Sequence, residues 1–369
     1  MKKNRHHFVP KFYLRLFSSS PNRIDLYNLS QNLAVKDSDI SHQSYRKKFY
    51  GKTDEVENGL MVVEDIAAKT IKRIIKNERL PDKQSEDYFV LLGFISLQIS
   101  RTYANAKQIS EMTAKTLKEA FDIVSKNSSA QNLMEADPNL TDTVILLLSF
   151  VRFLIPALED LQPLLLQSEN EFRFITSDNP VVLHNQYCEA KRGAGRTGAL
   201  SKGLQIFFPL SPKCLLALFD IGVYSSIGNI AQNSFPTEKD VTTLNVLQAC
   251  NAEENIYFND WGQIDSIKST INMAAKFRKQ KKIITSKLKE DSGQKSYLIR
   301  TYKEIPNLHL NLSFLKIKRS AKKVPVNQRT KLYRNPLPEP IGGYKEGESK
   351  PFTTSEVVGD FIFRVQPPK

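Results

Sequence analysis

Glu171-Phe172-Arg173-Phe174-Ile175-Thr176-Ser177-Asp178-Asn179-Pro180-Val181-Val182-Leu183 separates two kinds of sequence in this chain. Apolar and polar residues alternate over 171–176, the period of a half-buried strand. Ser177-Asp178-Asn179-Pro180 interrupts the run with turn-forming residues, and Pro180 steers Asn179 away from helical backbone. Val181-Val182-Leu183 then resumes the strand. Upstream, over 55–168, apolar residues recur at helical spacing, and downstream, to 219, they form strand-length runs. Helices followed by strands, without alternation, indicate an α+β fold.

The helical half starts at Thr53-Asp54-Glu55-Val56, where Thr53 or Asp54 serves as N-cap. A helix is predicted to Asn77, with Leu60, Val63, Ala67, Ile71 and Ile74 on one face and Leu80-Pro81-Asp82 as its stop. A second long helix is predicted over 84–125. It is central, because Phe89 to Ile99 is apolar nearly all round and only Gln98, Arg101 and Thr102 interrupt its surface. Residues 127–139 read as a connection, and 141–166 as a third helix kinked near Pro156 and Pro163. Ahead of these, Ile24 to Leu29 and Leu33-Ala34-Val35 read as a hairpin.

On the strand side, 204–210 and 214–219 form a hairpin around Ser211-Pro212-Lys213. Thr237-Glu238-Lys239-Asp240 opens a helix to Asn251, and Asn255 to Phe258 is a short strand. A basic helix over 262–289, strands over 297–302 and 308–317, and a proline-rich arm after Lys322 follow. The expected architecture is α+β: long helices packed on a small, mostly antiparallel sheet built from 171–219 and the N-terminal segment. Residues 1–260 form the core, and 261–369 a basic C-terminal extension.

Charge divides the chain at the same point. Residues 261–369 carry 23 Lys and Arg against 9 Asp and Glu, which is the whole net charge of +14. Such a one-sided excess points to nucleic acid as partner, through 261–369, with an anionic surface second. No apolar run reaches the roughly 18 residues of a membrane span, and no signal peptide opens the chain. Three widely spaced cysteines, Cys188, Cys214 and Cys250, give neither a disulfide framework nor a thiolate metal site. A cytoplasmic protein without membrane contact is expected.

His6-His7-x-x-Pro10-x-Phe12-Tyr13-Leu14-Arg15-x-Phe17 resembles the opening motif of the uncharacterised bacterial DUF4238 family. Phe49-Tyr50 ahead of Glu57 and Glu64, Gln98-x-x-Arg101-Thr102, Thr176 to Val181, Pro209-Leu210-Ser211-Pro212, and Asn245 before Tyr257 follow in the family's order. The resemblance covers roughly residues 4–260. It implies a shared fold, a shared polar site and a bacterial or phage-associated origin with phage defence as context. It implies no settled activity.

The candidate catalytic residues are His6, His7, Glu64 and Asp178; the candidate substrate-binding residues are Arg15, Gln98, Arg101 and Asn179. Adjacent histidines in a strand point to opposite sides, so one of His6 and His7 faces a given pocket and titrates near neutral pH. Arg15, flanked by Leu14 and Leu16, is expected to need a carboxylate or a bound anion. Glu57 and Glu64 share a helix face, where they serve either a divalent metal, Mg or Mn, or a solvated ion pair. Gln98 and Arg101 share a face of the apolar helix and hold either substrate or a carboxylate such as Asp178. Asp178 ends a strand, a position set rigidly beside a pocket, though an Asx-turn on nearby amides explains it as well. Ser177 lacks the G-x-S-x-G elbow of a nucleophile, and Gly193 to Gly203 lacks the order of a phosphate-binding P-loop. His42, His184 and His309 read as ordinary surface or edge residues. Two functions compete: a nuclease-type phosphodiester hydrolase using the His/Asp/Glu/Arg set, and a non-catalytic nucleic-acid-binding or partner-binding module whose polar network only holds the fold.

Overall fold

A computed structural model describes residues 5–124, 139–169, 171–189, 197–226, 233–279, 283–289, 297–303, 308–322, 334 and 360–365. The 127–138 connection, much of the glycine-containing loop and most of the arm after Lys322 lie outside them. In chain order the elements are β1 (Arg5–His7), α1 (Lys11–Arg15), β2 (Arg23–Asn28), β3 (Leu33–Asp39), β4 (Tyr45–Lys47), α2 (Glu55–Asn77), α3 (Glu86–Arg101), α4 (Tyr103–Val124), α5 (Leu140–Ser149) and α6 (Val151–Glu159). There follow β5 (Gln162–Gln167), β6 (Thr176–Ser177), β7 (Val182–His184), α7 (Gln186–Glu189), β8 (Gln205–Pro209), β9 (Cys214–Phe219), β10 (Tyr224–Ser226), β11 (Asn233–Ser234), α8 (Glu238–Asn251), β12 (Asn255–Phe258) and α9 (Ile264–Arg278). Last come β13 (Ile283–Lys289), β14 (Tyr297–Lys303), β15 (Leu315–Ile317), α10 (Arg319–Lys322) and β16 (Asp360–Val365).

The fold is α+β. A five-stranded sheet of order β11-β5-β9-β8-β7 lies beside a four-stranded sheet of order β3-β2-β12-β6. Only β11 on β5 is parallel among these pairings. Strand β9 shows why the five-stranded sheet is central. Cys214, Leu216 and Leu218 face the core that holds α3, α6 and the N-terminal segment. Leu215, Ala217 and Phe219 face a second core with α8 and the stretch 310–315. A strand buried on both faces reads as a continuous apolar run, which explains the unbroken apolar sequence of 214–219. The N-terminal residues 8–17 feed the first core rather than this sheet: Phe8, Val9, Tyr13, Leu14 and Phe17 are all buried in it.

Several boundaries differ from those predicted. The strand expected over 171–176 shortens to β6, Thr176–Ser177, because only this end pairs with β12, and the strand expected over 308–317 shortens to β15, the part that pairs with β10. The expected helix over 84–125 breaks at Thr102, whose backbone is extended (φ −73°, ψ 147°). Thr102 Oγ1 donates to Asn179 Oδ1 at 3.0 Å, and Asn105 Nδ2 donates to the carbonyl of Ile99. These bonds brace the junction between α3 and α4, where helix ends leave backbone groups without intrahelical partners. The expected helix over 141–166 is α5 and α6, bent by 47° at Phe150, followed by strand β5. Among the described residues β11 pairs with Leu165 and Leu166, so Pro163 meets no described partner on that side of the strand. The basic helix stops at Arg278, and β13 starts at Ile283.

The extension after 260 is laced to the core. Helix α9 packs on α8, β15 pairs with β10, and the sheet β13-β14-β16 lies against α4. Buried Thr116 on α4 donates to Thr301 Oγ1 on β14 at 2.7 Å. Among the described residues no single helix is long and apolar enough to cross a membrane.

Candidate functional site: the His7 cleft

Strand β1 pairs antiparallel with β4, His6 opposite Arg46 and His7 opposite Tyr45. Strand alternation turns the two histidines apart. His6 is buried: its Nδ1 accepts from the Tyr50 amide at 3.0 Å and its ring stacks on Tyr50. His7 lines a cavity of about 630 Å³ together with Arg5, Lys11, Arg15, Glu57 and Glu64. His7 Nδ1 donates to the Gln43 carbonyl at 3.0 Å. A carbonyl oxygen only accepts, so the Nδ1 proton is fixed and the Nε2 lone pair is left as the base. Burial, with Lys11, Arg101 and Arg5 adding to it, pushes His7 down from 6.5 to about 4. The imidazole is therefore neutral at physiological pH.

Helix α2 supplies Glu57, Glu64 and Asp65 to the same cavity. Behind Glu64 stands Arg101, the largest fully buried side chain of the described residues. Its guanidinium donates to Glu64 Oε1 at 2.7 Å, to Tyr50 Oη at 3.1 Å and to the His7 carbonyl. One turn earlier, Gln98 Nε2 donates to the Phe8 carbonyl at 2.7 Å. Gln98 and Arg101 thus hold consecutive backbone carbonyls of the segment that carries His7. Arg15 is exposed, against the burial expected from its leucine neighbours, because α1 turns Tyr13 and Leu14 inward instead. It donates to the Pro21 carbonyl at 3.2 Å and reaches the cavity rim.

Asp178 is placed differently. Its carboxylate accepts from the amides of Glu253 at 2.9 Å, Glu254 at 2.7 Å and Asn255 at 3.1 Å. It closes the turn between α8 and β12 and borders a separate cavity of about 340 Å³ with Ser44, Arg46 and Glu254. Burial pushes its carboxyl up to about 6 against the opposing pull of the three amides. Asn179 belongs to the same clasp, accepting from Thr102 and donating to the Asn251 carbonyl at 3.2 Å. The structure thus gathers His7, Glu64, Arg101 and Arg15 at one cleft, and leaves Asp178 and Asn179 outside its lining.

Sequence reasoning did not single out Tyr50, Lys11 and Arg5, which share this cleft or its support. Tyr50 was visible only as part of an aromatic pair, and Arg5 and Lys11 as ordinary basic residues flanking the histidines. Among the described residues no three His, Cys, Asp or Glu side chains are grouped to hold a metal ion.

The family model described as "Protein of unknown function (DUF4238)" matches residues 5–261. The chain belongs to the DUF4238 family. Neither curated proteins nor solved structures give a match. In this DUF4238 chain the stretches that carry the resemblance meet in space. Tyr13 Oη donates to the Pro209 carbonyl at 2.6 Å and lies 2.8 Å from Thr176 Oγ1. Asn245 brackets the backbone of Arg173 and Ile175, accepting from one and donating to the other.

Proposed function

We propose that this chain hydrolyses phosphodiester bonds of nucleic acid at the His7 cleft. The observation that carries the reading is a histidine oriented by a backbone carbonyl, in a cavity that brings Arg5, Lys11 and Arg15 together with Glu57, Glu64 and Asp65, Glu64 being paired with the buried Arg101. His7 Nε2 takes a proton from the attacking water as its oxygen bonds to phosphorus. The ester bond to the leaving oxygen breaks, and that oxygen is protonated from solvent. The basic rim offsets the charge that builds on the phosphoryl oxygens. A phosphate bound beside the ring raises its basicity from the low value of the empty cleft. Glu57, Glu64 and Asp65 border the same cavity, so a divalent ion, Mg or Mn, stands as the alternative source of activated water. The basic region 261–369 supplies sequence-independent contact with the nucleic acid, a setting compatible with phage defence.

A second reading is a non-catalytic nucleic-acid-binding or partner-binding module. It is favoured by one observation: Arg101, Gln98 and Asp178 all spend hydrogen bonds on the protein's own backbone. Incubation with labelled RNA and DNA, in Mg²⁺, in Mn²⁺ and in EDTA, separates the two. The hydrolase reading expects cleavage that is lost in His7→Asn at unchanged melting temperature; survival in EDTA marks the metal-free route and loss in EDTA the metal-activated one. Absence of cleavage of either polymer in every buffer leaves the binding module.

A further inference from the structure

A second cleft, which shares no lining residue with the His7 cavity, opens between α3, α4 and α5. Its inner chamber, about 90 Å³, has an apolar wall of Ile109, Leu147, Phe150 and Leu154, with Asn105 and Thr197 among its polar lining. Its vestibule, about 410 Å³, is polar and bordered by Lys107, Glu111, Lys115 and Glu253. Gln108, Asn251 and Lys303 line both spaces and so stand at the junction.

The charges of the vestibule are not equivalent. Lys107 pairs with Glu253 at 2.6 Å and Lys115 with Glu111 at 2.8 Å. Lys303 Nζ instead donates to the neutral amide oxygen of Gln108, and forms no ion pair with a described residue. A half-buried ammonium held only by an amide retains capacity for an anion. Burial pushes it down to about 8, with Glu253 opposing the shift, so it still carries its proton at pH 7. A chamber with an apolar wall and convergent polar groups is a common form of small-molecule site.

We propose that this cleft binds a small monocarboxylate, its head on Lys303 at the junction and its short apolar body between Ile109, Leu147, Phe150 and Leu154. One positive charge without an ion pair among the described residues matches one carboxylate. A phosphate dianion would bring its second charge toward Glu111 and Glu253. The chamber has room for a body of only a few carbon atoms.

Hexanoate is the probe, followed by calorimetric titration of the full chain, with 1-hexanol and inorganic phosphate as comparisons. Saturable hexanoate binding is expected, weakened about tenfold or more in Lys303→Met, the loss of a charge-assisted contact. Hexanol should bind the two proteins alike. Ile109→Trp, which fills the chamber, should abolish hexanoate binding at unchanged melting temperature, and His7→Asn should leave it intact. Unsaturable binding, equal affinity in Lys303→Met, retention in Ile109→Trp, or phosphate binding tighter than hexanoate would each overturn the assignment.

Discussion

Arg101 Nη1 lies 2.7 Å from Glu64 Oε1, joining the central helix α3 to α2 directly beneath the His7 cleft. The two ends of the pair are unequal: the arginine side chain is fully buried and the glutamate is 20% exposed. With Gln98, the arginine also holds the two consecutive carbonyls of His7 and Phe8. A single ion pair therefore links helix packing to the position of the candidate base.

Glu64→Ala leaves the Arg101 guanidinium buried with no carboxylate, a change that costs about 3–5 kcal/mol in buried pairs. The exposed side of this pair admits water, so the lower end is expected here. Glu64→Gln keeps an acceptor for Nη1 and should lose roughly half as much. Urea unfolding of the three proteins measures both. A Glu64→Ala midpoint indistinguishable from the parent would show that the guanidinium does not depend on Glu64.

His7 gives the fold a pH dependence with a definite sign. Its folded value, about 4, lies below the 6.5 of an unperturbed histidine. Between those values the unfolded chain binds more protons, so stability is fully present above 6.5 and falls as pH drops toward 4, on the order of 3 kcal/mol in total. Asparagine preserves a donor to the Gln43 carbonyl but does not titrate. The difference between parent and His7→Asn stabilities should therefore be flat above pH 7 and slope between 6.5 and 4. A flat difference throughout that range would mean His7 titrates normally and faces water.

Much of this architecture could be read from local signals. Helix α8 begins where Thr237 and Asp240 form a reciprocal capping box four residues long, and the sequence displays both residues. The same holds for the alternation in β2 and for the apolar run of β9. The break at Thr102 could not be read, because its cause is Asn179, 77 residues away. Strand β5 was hidden since Leu161 to Leu166 continues the apolar composition of α6. At the site, residue chemistry picked out His7, Glu64 and Arg101. The use of Asp178 depends on three amides that α8 and β12 bring to it from residues 253–255, which spacing along the chain does not reveal.

Asp178→Asn tests that clasp. Oδ2 accepts from both Glu254 and Asn255, so an amide nitrogen placed there would face two N–H donors. Leaving buried donors unsatisfied costs about 1–3 kcal/mol each, and a loss of a few kcal/mol is expected at pH 7. The pH trend opposes that of His7. With a folded value near 6, above the ordinary 3.8, the folded state holds the proton longer, and stability contributed by Asp178 falls as pH rises from 3.8 to 6. Asp178→Asn should therefore be least damaging above pH 6 relative to its effect on a protonated parent. Should the variant cleave nucleic acid at the parental rate per folded molecule, Asp178 is a structural residue alone.

Salt dependence separates the cleft's cations from those of the basic extension. Each phosphate neutralised by a lysine or arginine adds roughly 0.7–0.9 to the slope of log affinity against log salt. Lys276 and Lys279 are exposed at the end of α9, far along the chain from the His7 segment. Changing both to glutamine should reduce the slope by up to about two while leaving cleavage at saturating nucleic acid unchanged. Lys11→Gln and Arg15→Gln should also flatten the slope, by about one each, and in addition slow cleavage at saturation, because their charge meets the reacting phosphate. Deletion of 261–369 is a poor substitute, since α9, β14 and β15 pack on the core and their loss would unfold it. Equal effects of the α9 pair and the rim pair on the saturated rate would separate nucleic-acid binding from the His7 cleft, and identical slopes in all four proteins would mean that none of these side chains meets phosphate.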